Sequence, residues 1–69
     1  MRVIYDRETN TLSLIFSDAP VSESDELREG LIVDYDREGH IVSVEILDAS
    51  KHVAQPASIA FEPKEAAAR

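Results

Sequence analysis

The chain contains no cysteine, so disulfide bonds are excluded and nothing argues for an exported, disulfide-stabilised protein. Its two histidines, His40 and His52, are too few for a histidine-based metal site. No apolar run approaches the ~20 residues of a membrane helix. The N-terminal MRVIYDR also lacks the apolar segment of a signal peptide. We therefore expect a cytoplasmic protein that does not bind membranes.

Basic residues are scarce: the chain has seven of them and fourteen acidic residues, so its net charge is −7. Such a surface repels phosphate backbones, so we expect no unaided binding of nucleic acid. It suits a basic protein partner, although acidic residues also simply keep a small protein soluble. At 69 residues the chain forms at most one domain with a marginal core. Without disulfides or a metal, oligomerisation is the remaining means of stabilising it.

Alternating apolar residues predict antiparallel β-strands in RVIYD, TLSLIF, LIVDY and IVSVEI. The polar segments DRETN and DREG join these strands into two hairpins. A short helix near residues 48–54 follows, with Asp48 as its cap and Pro56 ending it. The predicted fold class is α+β, a mainly antiparallel sheet with one short C-terminal helix in residues 1–55. Residues 56–69 form an extension, and we expect the last of them to be flexible.

The tetrapeptide YDRE occurs twice, at residues 5–8 and 35–38, and both copies fit the start of a turn. Asp6 and Asp36 can accept hydrogen bonds from backbone amides ahead of them. Asn10 and Gly39 can adopt the positive φ that such turns require. Gly30 supplies a bend before the third predicted strand. The repeat is therefore interpreted as turn chemistry, although a duplicated hairpin explains it too.

Two local ambiguities remain in the sequence. In the second hairpin, pairing Val33 with Val42 keeps the large residues on one face, whereas a type I turn with a bulge at Gly39 shifts the pairing by one. We favour the first, because burial of apolar area outweighs turn preference. The segment 22–29 fits a capped short helix or a charged edge strand. We prefer the strand, because Leu27 is its only apolar residue.

The stretch DYDREGHIVSVE, residues 34–45, matches most positions of an EF-hand calcium loop. Its context differs, because both flanks alternate as strands and not as helices. We also expect Asp34 and Glu45 to lie near opposite ends of the strand pair, too far apart to share an ion. The sequence therefore predicts no calcium site, and no other metal or cofactor.

No catalytic constellation is evident, since the strand pattern leaves no Ser–His–Asp arrangement and no glycine-rich phosphate loop. We therefore expect a protein that is not an enzyme. Glu45 lies within an apolar strand, where a half-buried carboxyl could act as a base. The alternative function is thus a small-ligand-binding protein or an enzyme with a site near Asp34, His40 and Glu45. That alternative requires the three side chains to converge in one pocket.

Several of these features together resemble a family of small bacterial and archaeal proteins called domain of unknown function 2283. The shared features are Tyr5-Asp6, Leu12, Gly30, Asp34-Tyr35-Asp36, Gly39, Ile46 and Asp48-Ala49-Ser50. Asn10 and Ser43 depart from the aspartate and glycine common in that family. The resemblance implies no catalytic residue. Because some members are thought to lie beside small toxin-like genes, it implies an antitoxin-like role in a non-catalytic protein-interaction module.

Apolar residues on both faces of the sheet predict a homo-oligomer, most simply a dimer. One face carries most of the large side chains, more than one short helix can cover. The opposite face is punctuated by the four isoleucines Ile4, Ile15, Ile32 and Ile41. These four are the candidate oligomer interface. The rival interpretation is a monomer in which Ile59 and Phe61 fold back as cover.

Overall fold

The computed structural model describes residues 1–65 and contains one five-stranded antiparallel sheet. The strands are β1 (Arg2–Asp6), β2 (Thr11–Ile15), β3 (Glu23–Arg28), β4 (Leu31–Tyr35) and β5 (Ile41–Ile46), followed by the helix α1 (Ala49–His52). Their order across the sheet is β1-β2-β5-β4-β3. The predicted fold class is confirmed. The expected flexibility of the last residues concerns in part residues 66–69, which lie outside the described part of the chain.

The segment 22–29 forms the edge strand β3, so the strand interpretation is confirmed and the helix alternative is wrong. All six residues of β3 are exposed. A register shift between Glu26 and Arg28 interrupts its pairing with β4. Charge and irregular pairing are the usual means by which an edge strand is kept from joining other sheets.

The second hairpin has a register that differs from the favoured one, because Val33 pairs with Val44 and not with Val42. Gly39, with φ of 85°, ends a tight turn in which its amide donates to the Asp36 carbonyl. Next to the turn, Tyr35 pairs with Ile41, which is one residue away from the favoured register. Between Tyr35 and Asp34 the pairing shifts by a second residue, which leaves Val42 as an extra residue. Each shift moves the register by one residue, so the two together restore the original alternation.

The large apolar residues therefore share one side of the sheet, called the first face. It carries Val3, Tyr5, Leu12, Leu14, Leu31, Val33, Val44 and Ile46, which pair with one another across the strands. Leu12, Val33 and Val42 are nearly inaccessible, at 2%, 5% and 5% exposure, and Ala49 of α1 is fully buried. The buried core is thus small, as expected for so short a chain.

Residues after the sheet lie against the first face. His52 and Val53 line a cavity together with Leu31 and Ile46. Farther along, Pro56 is buried, and residues 56, 57 and 59 line a groove with Val3 and Tyr5. Phe61, in contrast, is 70% exposed. Part of this face is therefore covered from within the chain. Among residues 1–65, no helix is long and apolar enough to cross a membrane.

Candidate functional site

Asp34 and Glu45 lie close together on the side of the sheet opposite the first face, called the second face. On the neighbouring strands β4 and β5, Asp34 pairs with Ser43 and Glu45 pairs with Ile32. The two carboxyls are therefore diagonal neighbours, a relationship within reach of side-chain contact. The expectation that they lie near opposite ends of the strand pair is wrong. It followed from the other register, which sets Asp34 opposite Ile41 and Glu45 opposite Gly30.

Two serines hold the Asp34 carboxylate. The Ser24 hydroxyl on β3 donates to Oδ1 at 2.5 Å, and the Ser43 hydroxyl on β5 donates to Oδ2 at 2.6 Å. Asp34 is only 7% exposed. A buried carboxylate is costly unless it is hydrogen-bonded, and both of its oxygens have a partner here. The carboxylate thereby joins three adjacent strands, β3, β4 and β5.

The environment shifts the pKa values of the two acids in opposite directions. The hydroxyls of Ser24 and Ser43 lower the pKa of Asp34 below its ordinary value, although burial opposes them. The pKa of Glu45 is raised, first by its hydrogen bond with Asp34, then by burial and by the negative charge of Asp34. Folding therefore favours the ionised form of Asp34 and the protonated form of Glu45.

His40 does not join these two acids. Its side chain is 75% exposed, and its Nδ1 lies 3.5 Å from Asp36 and 3.9 Å from Glu38 at the tip of the second hairpin. The proposed site of Asp34, His40 and Glu45 is therefore not formed as one pocket, because only the two acids meet. Among residues 1–65 no group of three or more histidines and acids is arranged to hold a metal ion.

Asn10 connects the first hairpin to the helix. Its backbone has the positive φ of 55°, and its Oδ1 accepts a hydrogen bond of 2.7 Å from the Tyr5 hydroxyl. The Asn10 carbonyl and Oδ1 also accept from the amides of Ala49 and Ser50, at 2.8 and 3.2 Å. Its Nδ2 donates to the Ser50 hydroxyl. Asn10 thus binds the amides at the start of α1 from the other end of the chain.

Asp48 lies at the N-cap position of α1, but its predicted role as a capping side chain is wrong. Its φ is 50°, and its side chain makes no capping hydrogen bond. The Asp48 carbonyl accepts from the Lys51 amide instead. Sequence reasoning missed the capping by Asn10 because the two segments are forty positions apart, and no local pattern links them.

The two copies of YDRE form turns with related hydrogen bonds. Asp6 Oδ1 accepts from the Glu8 amide at 2.9 Å, and Asp36 Oδ1 accepts from the Glu38 amide at the same distance. Asp36 also accepts from the His40 amide, which is the main reason that its pKa is lowered. The same local chemistry therefore occurs at both sites.

Gly30 lies in the β3–β4 turn, with φ of 82°. Its surroundings are crowded, because a Cβ built there would lie 3.2 Å from the Leu47 carbonyl oxygen. Gly30 also accepts a hydrogen bond from the Leu47 amide, so it joins this turn to the end of β5. Gly39, by contrast, has no atom within 4 Å of such a Cβ.

The four isoleucines proposed as an interface do not share one surface. Ile4, Ile15 and Ile32 lie on the second face, where Ile4 pairs with Ser13, Ile15 with Ser43 and Ile32 with Glu45. Ile41 lies beyond the bulge and pairs with Tyr35. Ile4 and Ile41 are 40% and 48% exposed, and the other two are half-buried. Polar residues therefore separate the isoleucines of the second face.

The two edges of the sheet differ in charge. On β3 and the residue after it, Glu23, Asp25, Glu26 and Glu29 accompany the single base Arg28, a net charge of −3. We call residues 23–29 the acidic edge. The opposite edge is β1, which carries one base, Arg2, and one acid, Asp6. The acids of the protein are therefore spread unevenly.

The chain matches a known protein family. The model of the family described as Protein of unknown function (DUF2283) matches residues 2–50, which include all five strands. This confirms the resemblance seen in the sequence. Neither a curated protein nor a solved structure matches the chain.

Proposed function

The chain belongs to the DUF2283 family of proteins of unknown function, and we propose that it is a non-catalytic protein-interaction module that binds a basic partner at its acidic edge. The observation that carries this proposal is the full exposure of β3 together with its charge. A surface of one sign attracts partners of the opposite sign and speeds their association.

The acids of this edge are available to a partner. Residues 23–29 are all exposed. Within residues 1–65, the ion pairs involve His40 and Lys51 and not the acids of β3. Glu26 accepts a hydrogen bond of 3.3 Å from the Gly30 amide, and that bond leaves its charge in place. A basic segment would therefore meet carboxylates that form no ion pair with a basic side chain of residues 1–65.

The backbone of β3 offers a second means of recognition. Within residues 1–65 only β4 pairs with β3, so the other side of the strand presents amide and carbonyl groups without a partner in that part of the chain. An extended peptide can add through main-chain hydrogen bonds to residues 23–26, which precede the register shift, and a basic peptide is not repelled by the charges that keep acidic strands away. Lysine or arginine at alternate positions of that peptide would face the acids, so charge would select among extended segments. Neutralisation of a small basic toxin is the specific form that this function would take in the cytoplasm.

The test uses a synthetic lysine-containing strand peptide as the probe, with binding followed by fluorescence anisotropy at low and high salt. The variant Glu23→Lys/Asp25→Lys reverses two of the four negative charges of the acidic edge. The variant Glu8→Lys/Glu62→Lys changes the net charge equally at exposed positions elsewhere. We expect about tenfold or greater weakening for the first variant and little for the control.

Equal weakening in the two variants would show that net charge alone attracts the peptide, and the proposal would fail. A version of the peptide with proline at alternate positions tests the backbone component, because proline lacks the amide that strand pairing requires. Equal binding of the proline peptide would remove strand addition from the proposal.

A further inference from the structure

We propose that β1 is a self-pairing edge, at which two copies of the chain join antiparallel across a two-fold axis at Ile4 to form one continuous sheet. An oligomer is already predicted from the sequence, and its interface is here assigned to the edge strand β1. It does not depend on recognition of a basic partner at the acidic edge.

The edge is open and apolar at its centre. β1 pairs only with β2, so the amide and carbonyl groups on its other side are free within the described sheet. Every residue of β1 except Tyr5 is exposed, with Val3 at 39% and Ile4 at 40%. An unprotected edge with apolar side chains on both faces is a template for another strand.

The sequence RVIYD is complementary to itself when it is reversed. Centring the pair on Ile4 places Arg2 opposite Asp6 of the second copy at both ends of the strand pair. Val3 then lies opposite Tyr5, and Ile4 lies opposite its own copy. A two-fold interface requires such self-complementarity, because each contact occurs twice. Opposite charges and aromatic–aliphatic pairs are favourable as direct cross-strand neighbours.

Other registers lose these pairs. Moving the axis to Val3 sets Arg2 opposite Ile4, and moving it to Tyr5 sets Ile4 opposite Asp6. Both registers leave charged side chains opposite apolar ones, so the register centred on Ile4 is preferred. In that register the second faces of both copies form one surface, since paired residues share a face.

The other edge of the sheet does not suit a second copy. Centring a β3 pair on Asp25 sets that carboxylate opposite its own copy, and like charges directly opposite are destabilising. The register shift between Glu26 and Arg28 also interrupts the strand. Residues 1–7, in contrast, contain two arginines and one aspartate in a chain whose net charge is −7. Charge thus directs a second copy to β1.

A pair of five-residue strands makes a small interface, so we expect a reversible dimer. Sedimentation velocity should show the mass of the chain and of its dimer in proportions that change with concentration. Arg2→Glu sets a glutamate opposite Asp6 of the second copy, twice per dimer. We expect it to weaken dimerisation by about tenfold or more. Arg28→Glu, the same charge change on the acidic edge, should leave dimerisation unchanged.

Complementation makes the test specific. Asp6→Lys should also weaken self-association, because it sets a lysine opposite Arg2. A mixture of the Arg2→Glu protein and the Asp6→Lys protein should form a heterodimer in which every charged pair is opposite in sign. Circular dichroism melts establish that each variant is folded. In the wild type, isotope-filtered nuclear Overhauser effects between Ile4 residues of two copies would identify the register directly.

A wild-type protein that stays monomeric at millimolar concentration would overturn the proposal. So would a dimer that Arg2→Glu leaves intact and that Ile32→Glu abolishes, since that outcome places the interface on the second face. Failure of the mixture to form heterodimers would also refute the β1 register. Binding of the basic peptide is measured separately. A protein that fails to bind the peptide can still dimerise through β1, and a protein that stays monomeric can still bind the peptide.

Discussion

Glu45 and Asp34 are diagonal neighbours across β4 and β5, and the interaction of their carboxyls raises the pKa of Glu45 while it helps lower the pKa of Asp34. One contact thus shifts the pKa values of the two carboxyls in opposite directions. Its effect on stability follows from the direction of each pKa shift. Folding favours protonation of Glu45 and ionisation of Asp34.

The substitution Glu45→Gln tests this pair. Because folding raises the pKa of Glu45, its protonated form stabilises the folded state, and this stabilisation is fully present at pH values below the unfolded pKa. It is lost as the pH rises through the folded pKa. Glutamine keeps a hydrogen-bond donor for Asp34 at every pH. We therefore expect Glu45→Gln to raise the melting temperature at neutral pH by a few degrees, equivalent to about 1 kcal/mol or less at this partly exposed position.

The pH dependence supplies the control for that experiment. Below the ordinary pKa of a glutamate, the two proteins should have similar melting temperatures, because Glu45 is then protonated in both states. Asp34 contributes in the opposite sense, since its lowered pKa stabilises the fold at higher pH and that stability is lost in acid. Both proteins should therefore lose stability in acid. A difference that grows as pH falls would contradict the raised pKa of Glu45.

Substitutions at Asn10 separate backbone conformation from side-chain bonding. Asn10→Gly keeps the positive φ but removes the bonds to Tyr5 and Ser50, so we expect a loss of about 1–2 kcal/mol in the free energy of unfolding. Asn10→Ala should cost about 1 kcal/mol more, because alanine tolerates the left-handed region poorly. Asn10→Asp retains the acceptor Oδ1 and serves as the mild control. Urea denaturation measures all three, and equal losses for glycine and aspartate would show that the hydrogen bonds accepted by Oδ1 contribute nothing.

The two glycines provide a matched pair of positions. Both have a positive φ near 80°, so replacing either with alanine should cost about 1–2 kcal/mol. Gly30→Ala should cost more than Gly39→Ala, because only the first Cβ meets a backbone oxygen, that of Leu47. Guanidinium denaturation of the two variants gives this difference. The reverse order would mean that the end of β5 moves easily away from Gly30.

Alternation of apolar residues was sufficient to predict the hairpin strands, because burial of one face requires a period of two whatever the exact register. It could not supply the register of β4 and β5. That register depends on an extra residue at Val42, and nothing local in IVSVEI marks a bulge there. The two register shifts cancel in parity, so Leu31, Val33, Val44 and Ile46 were predicted on the correct face from a pairing that was itself wrong. Next to the turn the prediction fails, because Ile41 pairs with Tyr35.

Because the register was predicted wrongly, the neighbours of Asp34 were predicted wrongly too. The favoured pairing set Asp34 opposite Ile41, four residues from Glu45, whereas the true pairing sets it opposite Ser43. The hydrogen bond from Ser24 could not be predicted for another reason. It depends on how β3 pairs with β4, and the two strands are joined by a turn whose type depends on Gly30. Polar contacts between strands require the register to be known to within one residue, whereas apolar faces do not.

The last strand to be synthesised, β5, lies in the middle of the sheet, between β2 and β4. On a ribosome, β1 and β2 emerge first as a hairpin that lacks its third strand, and isolated hairpins are only marginally stable. β3 and β4 then emerge without a link to that hairpin. Only when residues 41–46 leave the exit tunnel can both halves be joined. Folding should therefore be late and nearly all-or-none, and a nascent chain cut before Ile41 should remain sensitive to protease.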